Sequence, residues 1–406
     1  MNLLLISPGF PSEMPLFTRG LAQAGARVIG LGDQPPAALP ERTRAHLADY
    51  IRVGSLWDEM QVVQQIQAVQ SQQRIDRVEC LWEPGMILAA RLRETLGLPG
   101  LTVAQTIPFR DKGRMKEVLD AAGLRTPRHH RAVTADGVRE AAAAIGFPVA
   151  VKPISGAGSA DTHRVESADE LERILPTLRH VPEVSVEEWI EGQEYTFDTI
   201  CIDGRIVFPN VCWYRPNPII ARQVEWISPQ TIGLRRLDVE PLREGLALGR
   251  AVLDALGFRT GFTHMEWFRT ASGEAIFGEI GARPPGARTV DIMNYLCDAD
   301  LYAGWGEAVT RGTFSQPTER RYNAASIFKR AQGQGRIQRI DGLESILARY
   351  GPHVMSVDLL PIGAPRRNWL QTLMSDGHLF VRHQNLDALT EILDHIGTDL
   401  QIYAGH

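Results

Sequence analysis

The 406-residue chain holds only four cysteines, Cys80, Cys201, Cys212 and Cys297, with no close pairing and no metal-ligand spacing. That excludes a disulfide framework, and such thiols are expected to be reduced, as in a cytoplasmic protein. Eleven histidines are scattered, with His129-His130 the one adjacent pair, so no zinc motif is present. No apolar run approaches the roughly 20 residues of a membrane span. The opening "MNLLLISPGF" has a run of four apolar residues and no basic segment ahead of it; it reads as a buried first strand rather than a signal peptide. A formal charge of −5 gives no footing for nucleic acid or for an anionic membrane surface. Repeats, low-complexity tracts and charge runs are also missing. What remains is a globular composition, 44% hydrophobic and 22% charged, in a chain too long for one ordinary core. Two or three domains are expected.

Two phosphate-binding signatures are missing as well. The first 105 residues alternate strand and helix: "NLLLIS", "MPLFTRGLAQAG", "RVIGLG", "WDEMQVVQQIQAVQSQQ", "RVECLWE" and "MILAARLRETLG". This alternation predicts a parallel sheet covered by helices. Its first turn, "SPGFPSEMP", lacks G-x-G-x-x-G, so neither NAD nor FAD is assigned. In "AVKPISGAGSADT", Lys152 precedes the glycines and no G-K-[ST] follows, so this is not a Walker A loop. Even so, one cation followed by Ser155, Gly156, Gly158 and Ser159 offers backbone N–H groups that can wrap a phosphate.

The segment "THMEWFRTASGEAIFGEIGARPPGAR", residues 263–288, carries an electrostatic puzzle. Its two apolar runs alternate like strands about a Ser272-Gly273 turn. With a two-residue loop, Glu266 faces Glu279, Phe268 faces Phe277 and His264 faces Gly281 on one side. Met265, Trp267, Ile276 and Ile280 take the other side. Two carboxylates across a strand pair lie roughly 5 Å apart, and at a dielectric near 20 they repel by about 3 kcal/mol. Either one acid holds a proton, or the register slips, or a divalent cation lies between them.

Further along the chain, "PFRDKGRMKEVLDAAGLRTP" predicts a short amphipathic helix with an apolar stripe at Met115, Val118, Leu119 and Ala122. Taken alone, Lys112 and Lys116 read as surface residues of that helix. "VEEWIEGQEYT" sets Glu187 and Glu194 around Trp189 and Ile190, an apolar slot suited to adenine beside a carboxylate suited to ribose. Glu191-Gly192 and Asp203-Gly204 separate three strands, the latter as a hairpin. Pro209–Pro229, with four prolines, is expected to be a long functional loop.

In combination, the helix lysine, the strand lysine before a small-residue loop, Glu-x-Trp-Ile-x-Gly-x-Glu, the acid pair and Arg283 resemble the ATP-grasp superfamily. The likeness is close over about residues 106–300 and strongest to its carboxylate–amine ligase branch, which includes L-amino acid ligases. It implies an α/β fold in three parts. These are an N-terminal Rossmann-like domain over 1–107, an ATP-grasp domain over 108–305 with a lid at about 126–185, and a C-terminal α+β closing domain over 306–406. It implies ATP with Mg2+, for which Mn2+ can substitute, and small-molecule carboxylate and amine substrates. Residue by residue, Lys112 and Lys152 would meet the phosphates and the adenine edge, and Ser155 to Ser159 would cover the phosphates. Glu187, Trp189 and Ile190 would hold adenine, and Glu194 the ribose. Glu266 and Glu279 would ligate magnesium, and Arg283 would stabilise the transferring phosphoryl group. His264, Arg222 and Arg288 are candidate substrate contacts, the arginines as carboxylate clamps. Where the family commonly has Glu-x-Asn, this chain has Glu279-Ile280-Gly281, so one metal ligand would come from water, a bidentate Glu279 or substrate. The rival readings are an ATP-dependent carboxylase or purine-pathway ligase, and an ATP-binding scaffold without turnover. Related ligases are often dimers, which makes a homodimer the expected assembly.

Overall fold

The N-terminal alternation folds as anticipated, with one further edge strand at Asp49–Arg52, in a computed structural model that describes residues 1–154, 162–370, 372 and 374–405. Strands Asn2–Ile6, Arg27–Gly32, Asp49–Arg52 and Arg77–Cys80 form a parallel sheet with the first strand between the second and the fourth. Successive residues of "LLLI" serve opposite faces. Leu4 and Ile6 pack with Val62, Ile66 and Leu88, while Leu3 and Leu5 pack with Phe17 and Trp305. Burial on both faces is what a parallel sheet requires. Asp58 caps the helix Glu59–Gln70 by accepting from the Gln61 N–H.

Residues 129–188 build a small antiparallel sheet of His129–Ala132, Val184–Glu188, Val149–Pro153 and His163–Val165, in that spatial order. Its own apolar core includes Val138, Ala142, Val151 and Val186. The helix Lys112–Ala121 leads into it, capped by Asp111, which accepts from the Gly113 and Arg114 N–H groups.

The largest sheet is antiparallel and has nine strands among the described residues. Gln193–Ile202 is central to the site, flanked by Gly261–Arg269 and by Cys212–Arg215. The C-terminal segment extends this same sheet through Asn323–Lys329, Gly377–His383 and Val354–Leu359. The helix anticipated at "LTEILDHIG" runs from Leu386 to Asp399 and is followed by a final strand, Gln401–Gly405. Among the described residues no helix is long and apolar enough to cross a membrane.

Two expectations need correction. Pro209–Pro229 is not a long loop: it ends one strand, forms the strand Cys212–Arg215 and the short helix Pro218–Gln223, and reaches the strand at Gln230. Three of its prolines lie outside regular strands, where a missing N–H costs nothing. The 261–281 hairpin has a three-residue loop, since the Thr270 N–H bonds the Glu274 carbonyl and Gly273 adopts a φ of +94°. That shifts the pairing by one, so Trp267 faces Phe277 and Phe268 faces Ile276. A bulge at Gly278 then shifts it back, and Glu266 faces Glu279 with His264 opposite Gly281. Phe277 therefore joins Trp267 and Met265 in the core, exchanging faces with Ile276 relative to the two-residue-loop register.

Candidate active site

The bulge brings the acid pair together on one face. Antiparallel pairing sets Glu194 beside Phe268, Thr196 beside Glu266 and Asp198 beside His264, so these side chains share that face with Glu279. A Cβ on Gly278 would stand 2.9 Å from the Glu266 carbonyl oxygen, a separation that forces one backbone to move. Gly278→Ala is accordingly expected to spread the acid pair and raise the magnesium concentration for half-maximal activity several-fold. Phosphate release titrated against magnesium checks this, and an unchanged midpoint would count against the bulge as the device that sets the pair.

Cations surround the pair. Lys112 Nζ lies 3.2 Å from Glu279 Oε2. Burial acts to raise the Glu279 pKa, but Lys112 and then Lys152 outweigh it and hold the carboxyl at about 2. Glu194 moves the other way. Burial and the charges of Glu266 and Glu279 push it well above the usual carboxylate range, while Asn217 Nδ2 donates to its Oε2. Three acids thus converge, and their mutual repulsion favours the neutral form of Glu194.

His264 is held on both sides. Nδ1 lies 2.6 Å from Asp198 Oδ1, and Nε2 lies 3.6 Å from Glu266 Oε1. Asp198 is fully buried and also accepts from Thr196 Oγ1 at 2.8 Å and Asn210 Nδ2 at 2.9 Å. Burial pulls the imidazole down, but the bonds to Asp198 and Glu266 prevail and raise it to about 9. The ring is therefore a cation at neutral pH and positions Glu266. Tyr214 adds a hydroxyl 3.4 Å from Glu266 Oε1.

Lys116 is the principal miss of the sequence reading. It is fully buried and pairs with Glu187 Oε1 at 2.8 Å, while Lys152 takes Glu187 Oε2 at 3.0 Å and Ser185 Oγ donates to Oε1 at 2.8 Å. One carboxylate serves two ammoniums. Burial would raise Glu187, yet the lysines hold it far below the ordinary range. Burial drops Lys116 to about 8 against the opposing pull of Glu187. The signal was present in the spacing: Lys112, Met115, Lys116 and Leu119 recur at i, i+3, i+4 and i+7 on one helix face.

Arg283 folds over Gly281, its Cγ 3.2 Å from where a Cβ would stand. The missing side chain at 281 leaves that room. The Arg283 Nε donates to Glu83 Oε2 at 2.6 Å, and Arg110 bonds the other oxygen of Glu83. Glu83 lies just beyond the C-terminal end of the parallel strand Arg77–Cys80, the edge where such sheets present functional groups, so the N-terminal unit braces Arg283.

Two cavities meet at the acids. A cleft between the small and the large sheet is lined by Lys112, Lys152, Glu187, Trp189, Ile190 and Glu194, and also by Glu266 and Glu279. The Trp189 ring lies 4.8 Å from the Arg164 guanidinium carbon. Pro153 and Thr162 line this cleft too, whereas Ser155, Gly156, Gly158 and Ser159 lie outside the described residues. The second cavity, of about 470 Å³, shares Glu266 and Glu279 and adds His264, Arg283, Arg222 and a largely apolar wall. Arg288 is placed elsewhere: its guanidinium bonds Asp291 at 2.5 Å, and it does not line either cavity. Among the described residues no group of three or more His, Cys, Asp or Glu side chains is arranged for a metal. The facing pair Glu266 and Glu279 nonetheless suits magnesium, which is held by one or two carboxylates together with substrate phosphates.

Residues 22–100 match the ATP-grasp N-terminal domain. The chain is 26% identical to an L-arginine-specific L-amino acid ligase of Bacillus subtilis, over 51% of this chain and 51% of that protein. It is 37% identical to a D-alanine–D-alanine ligase of Ectopseudomonas mendocina (strain ymp), over 48% of this chain and 62% of that protein. The chain spans about half the length of the first curated relatives it matches. In fold it is similar to the crystal structure of an L-amino acid ligase from Bacillus licheniformis, with a TM-score of 0.80 and 21% identity over 100% of this chain and 99% of that one. Residues 22–100 thus match an ATP-grasp N-terminal domain, both named relatives are ligases matched over part of their length, and the whole chain shares its fold with an L-amino acid ligase.

Proposed function

We propose that this chain is an ATP-dependent carboxylate–amine ligase. The observation that carries the reading is the meeting of a cation-lined cleft and a separate apolar cavity at one acid pair, Glu266 and Glu279. A nucleotide in the cleft and an organic acid in the cavity would present their reacting ends to each other there. A carboxylate oxygen of the substrate bonds to the γ-phosphorus of ATP, the bond to the bridging oxygen breaks, and ADP leaves with that electron pair. The amine then bonds to the acyl carbon, loses a proton, and expels inorganic phosphate, leaving an amide.

The chain's own groups supply alignment and charge. Lys112 and Lys152 draw the phosphates into the cleft. Trp189 and Ile190 offer an apolar slot for adenine, and Glu187 keeps Lys152 charged and directed. Glu194 would face a ribose hydroxyl, its carboxyl pushed towards the neutral form by burial and by Glu266 and Glu279. Glu266 and Glu279 would hold magnesium, which when bound neutralises phosphate charge as phosphoryl transfer proceeds. Arg283, fixed by Glu83, faces the same place and stabilises the acyl phosphate. The three-part division at 1–107, 108–305 and 306–406, with a lid at about 126–185, is part of this proposal.

The test is chemical trapping. With ATP, magnesium and the carboxylate substrate, hydroxylamine is expected to yield an acyl hydroxamate in step with ADP release. ADP formed without hydroxamate, or no ADP from any acid and amine pair, would refute the ligase and favour the scaffold reading.

A further inference from the structure

Arg330 follows the strand Asn323–Lys329 and lines the apolar cavity beside Trp369, with its guanidinium carbon 4.5 Å from the ring centre. Its Nη1 donates to the Val224 carbonyl at 2.9 Å and the Glu225 carbonyl at 3.4 Å. Its Nε is buried and has no hydrogen-bond partner among the described residues. The neighbouring acids are committed elsewhere. The Glu225 carboxylate lies 2.5 Å from Arg366, and Asp376 serves Arg366 and the N–H groups of Ala331 and Arg367. Burial, the largest effect, pushes Arg330 down to about 10, with Arg222 and Arg366 adding to it and the shared charges of Glu225 and Asp376 opposing it only in part. Arg222 lines the same cavity and is close enough to act on Arg330 electrostatically. It too bonds a neutral group, the Leu370 carbonyl at 3.4 Å, and burial lowers its pKa.

Backbone carbonyls solvate a guanidinium without neutralising it, and a desolvated cation is costly unless a counter-ion arrives. Two such cations in one cavity make a subsite for an anion. Planar, forked guanidinium groups fit a carboxylate, and Phe10, Phe17, Trp82 and Phe328 give the rest of the cavity an organic character. The carboxylate that is activated must reach the phosphoryl group near Glu279 and Arg283, and it is consumed there.

We propose that Arg330, with Arg222 beside it, anchors a substrate carboxylate that does not react, so that the amide product retains a free acid. The inference rests on the ligase reading and names what its substrates carry. Such an acid can belong to the amine substrate, as in an α-amino acid acceptor, or be the second acid of a dicarboxylic donor.

The experiment uses the full chain with ATP, magnesium and pairwise combinations of the twenty L-amino acids, followed by phosphate release. The amine partner is then replaced by its carboxamide, and the donor by analogues with and without a second carboxylate. One of these changes is expected to raise KM about 30-fold with kcat within about threefold, which identifies the partner whose acid is held. Arg330→Gln is expected to raise the KM of that partner similarly and erase its preference for acid over amide, with Arg330→Lys recovering part. Should Arg330→Gln fail to fold, the wild-type comparison of acid with amide decides. Indifference to the acid on both partners, or an unchanged KM in Arg330→Gln, overturns the proposal. If no pair releases phosphate, the ligase reading fails, and equilibrium dialysis of the same amino acids and carboxamides tests the anchor without turnover. Wild-type retention of acids over amides, lost in Arg330→Gln, upholds it, and no retention overturns it.

Discussion

Glu279→Gln is expected to lower ATP-dependent phosphate release by about 10²–10³-fold while leaving thermal unfolding within a few degrees of wild type. The amide keeps the shape of the carboxyl but removes the charge that faces Glu266 across the hairpin and lies 3.2 Å from Lys112. The fold should tolerate the change at the cost of a few degrees, because the amide keeps the packing while the net attraction of Lys112 and Lys152 that holds this carboxyl at about 2 is lost. Turnover should not tolerate it, because on the proposed mechanism these two carboxylates would recruit the divalent ion between protein and phosphate. A control lies on the same hairpin. Glu274 stands at the turn, half-exposed and outside both cavities, and Glu274→Gln should leave turnover unchanged. Near-normal activity of Glu279→Gln with an unaltered magnesium dependence would remove the metal assignment and the ligase mechanism with it.

How far the sequence reveals this site depends on which physical rule governs each residue. Strand alternation is strong enough to set Glu266 opposite Glu279, and the structure keeps that pairing. It does so through two features that cancel: a loop one residue longer than Ser272-Gly273 alone, and a bulge at Gly278. Neither follows from alternation, so the residues between them, Ile276 and Phe277, exchange faces while the acids do not. The parallel sheet at the N-terminus is legible through the strands Asn2–Ile6 and Arg27–Gly32, apolar and buried almost throughout, whereas the edge strand Asp49–Arg52, charged at both ends and without a buried residue, carries no such signal. Lys116 is harder to read, since a lysine on an amphipathic helix is ordinarily solvated. Only its alignment with Met115 and Leu119, together with a remote acid at Glu187, makes its burial intelligible. The brace from Glu83 to Arg283 spans 200 positions, and no local pattern encodes such a contact. Arg288 shows how a near neighbour along the chain can bind a side chain. Its position after the hairpin suggests a clamp, yet Asp291, three residues on along the helix, captures it.

The buried cluster around Glu187 should respond most strongly in stability. Glu187→Gln leaves Lys116 and Lys152 facing each other without the anion that lies 2.8 and 3.0 Å from them. Breaking a buried pair by removing one partner costs about 3–5 kcal/mol. That loss should appear as reduced hydrogen-exchange protection of the amides in Val149–Pro153 and Val184–Glu188, the adjacent strands that carry Lys152 and Glu187. The pH dependence has a definite sign. The Glu187 carboxyl is held far below its ordinary value when folded, so its contribution is present above the unfolded carboxylate pKa of about 4.3. It is given up as pH falls towards the folded value. Wild-type protection in these strands should therefore decline below about pH 5 more steeply than that of Glu187→Gln, which has no proton to take up there. The double variant Lys116→Met with Glu187→Leu replaces the pair by apolar groups and should recover much of the lost protection, though Lys152 then has no anion at this position and nucleotide affinity should still fall. Equal protection in wild type and Glu187→Gln would mean that the cluster is solvated in solution, and the rigid cleft floor on which phosphate alignment depends would be lost with it.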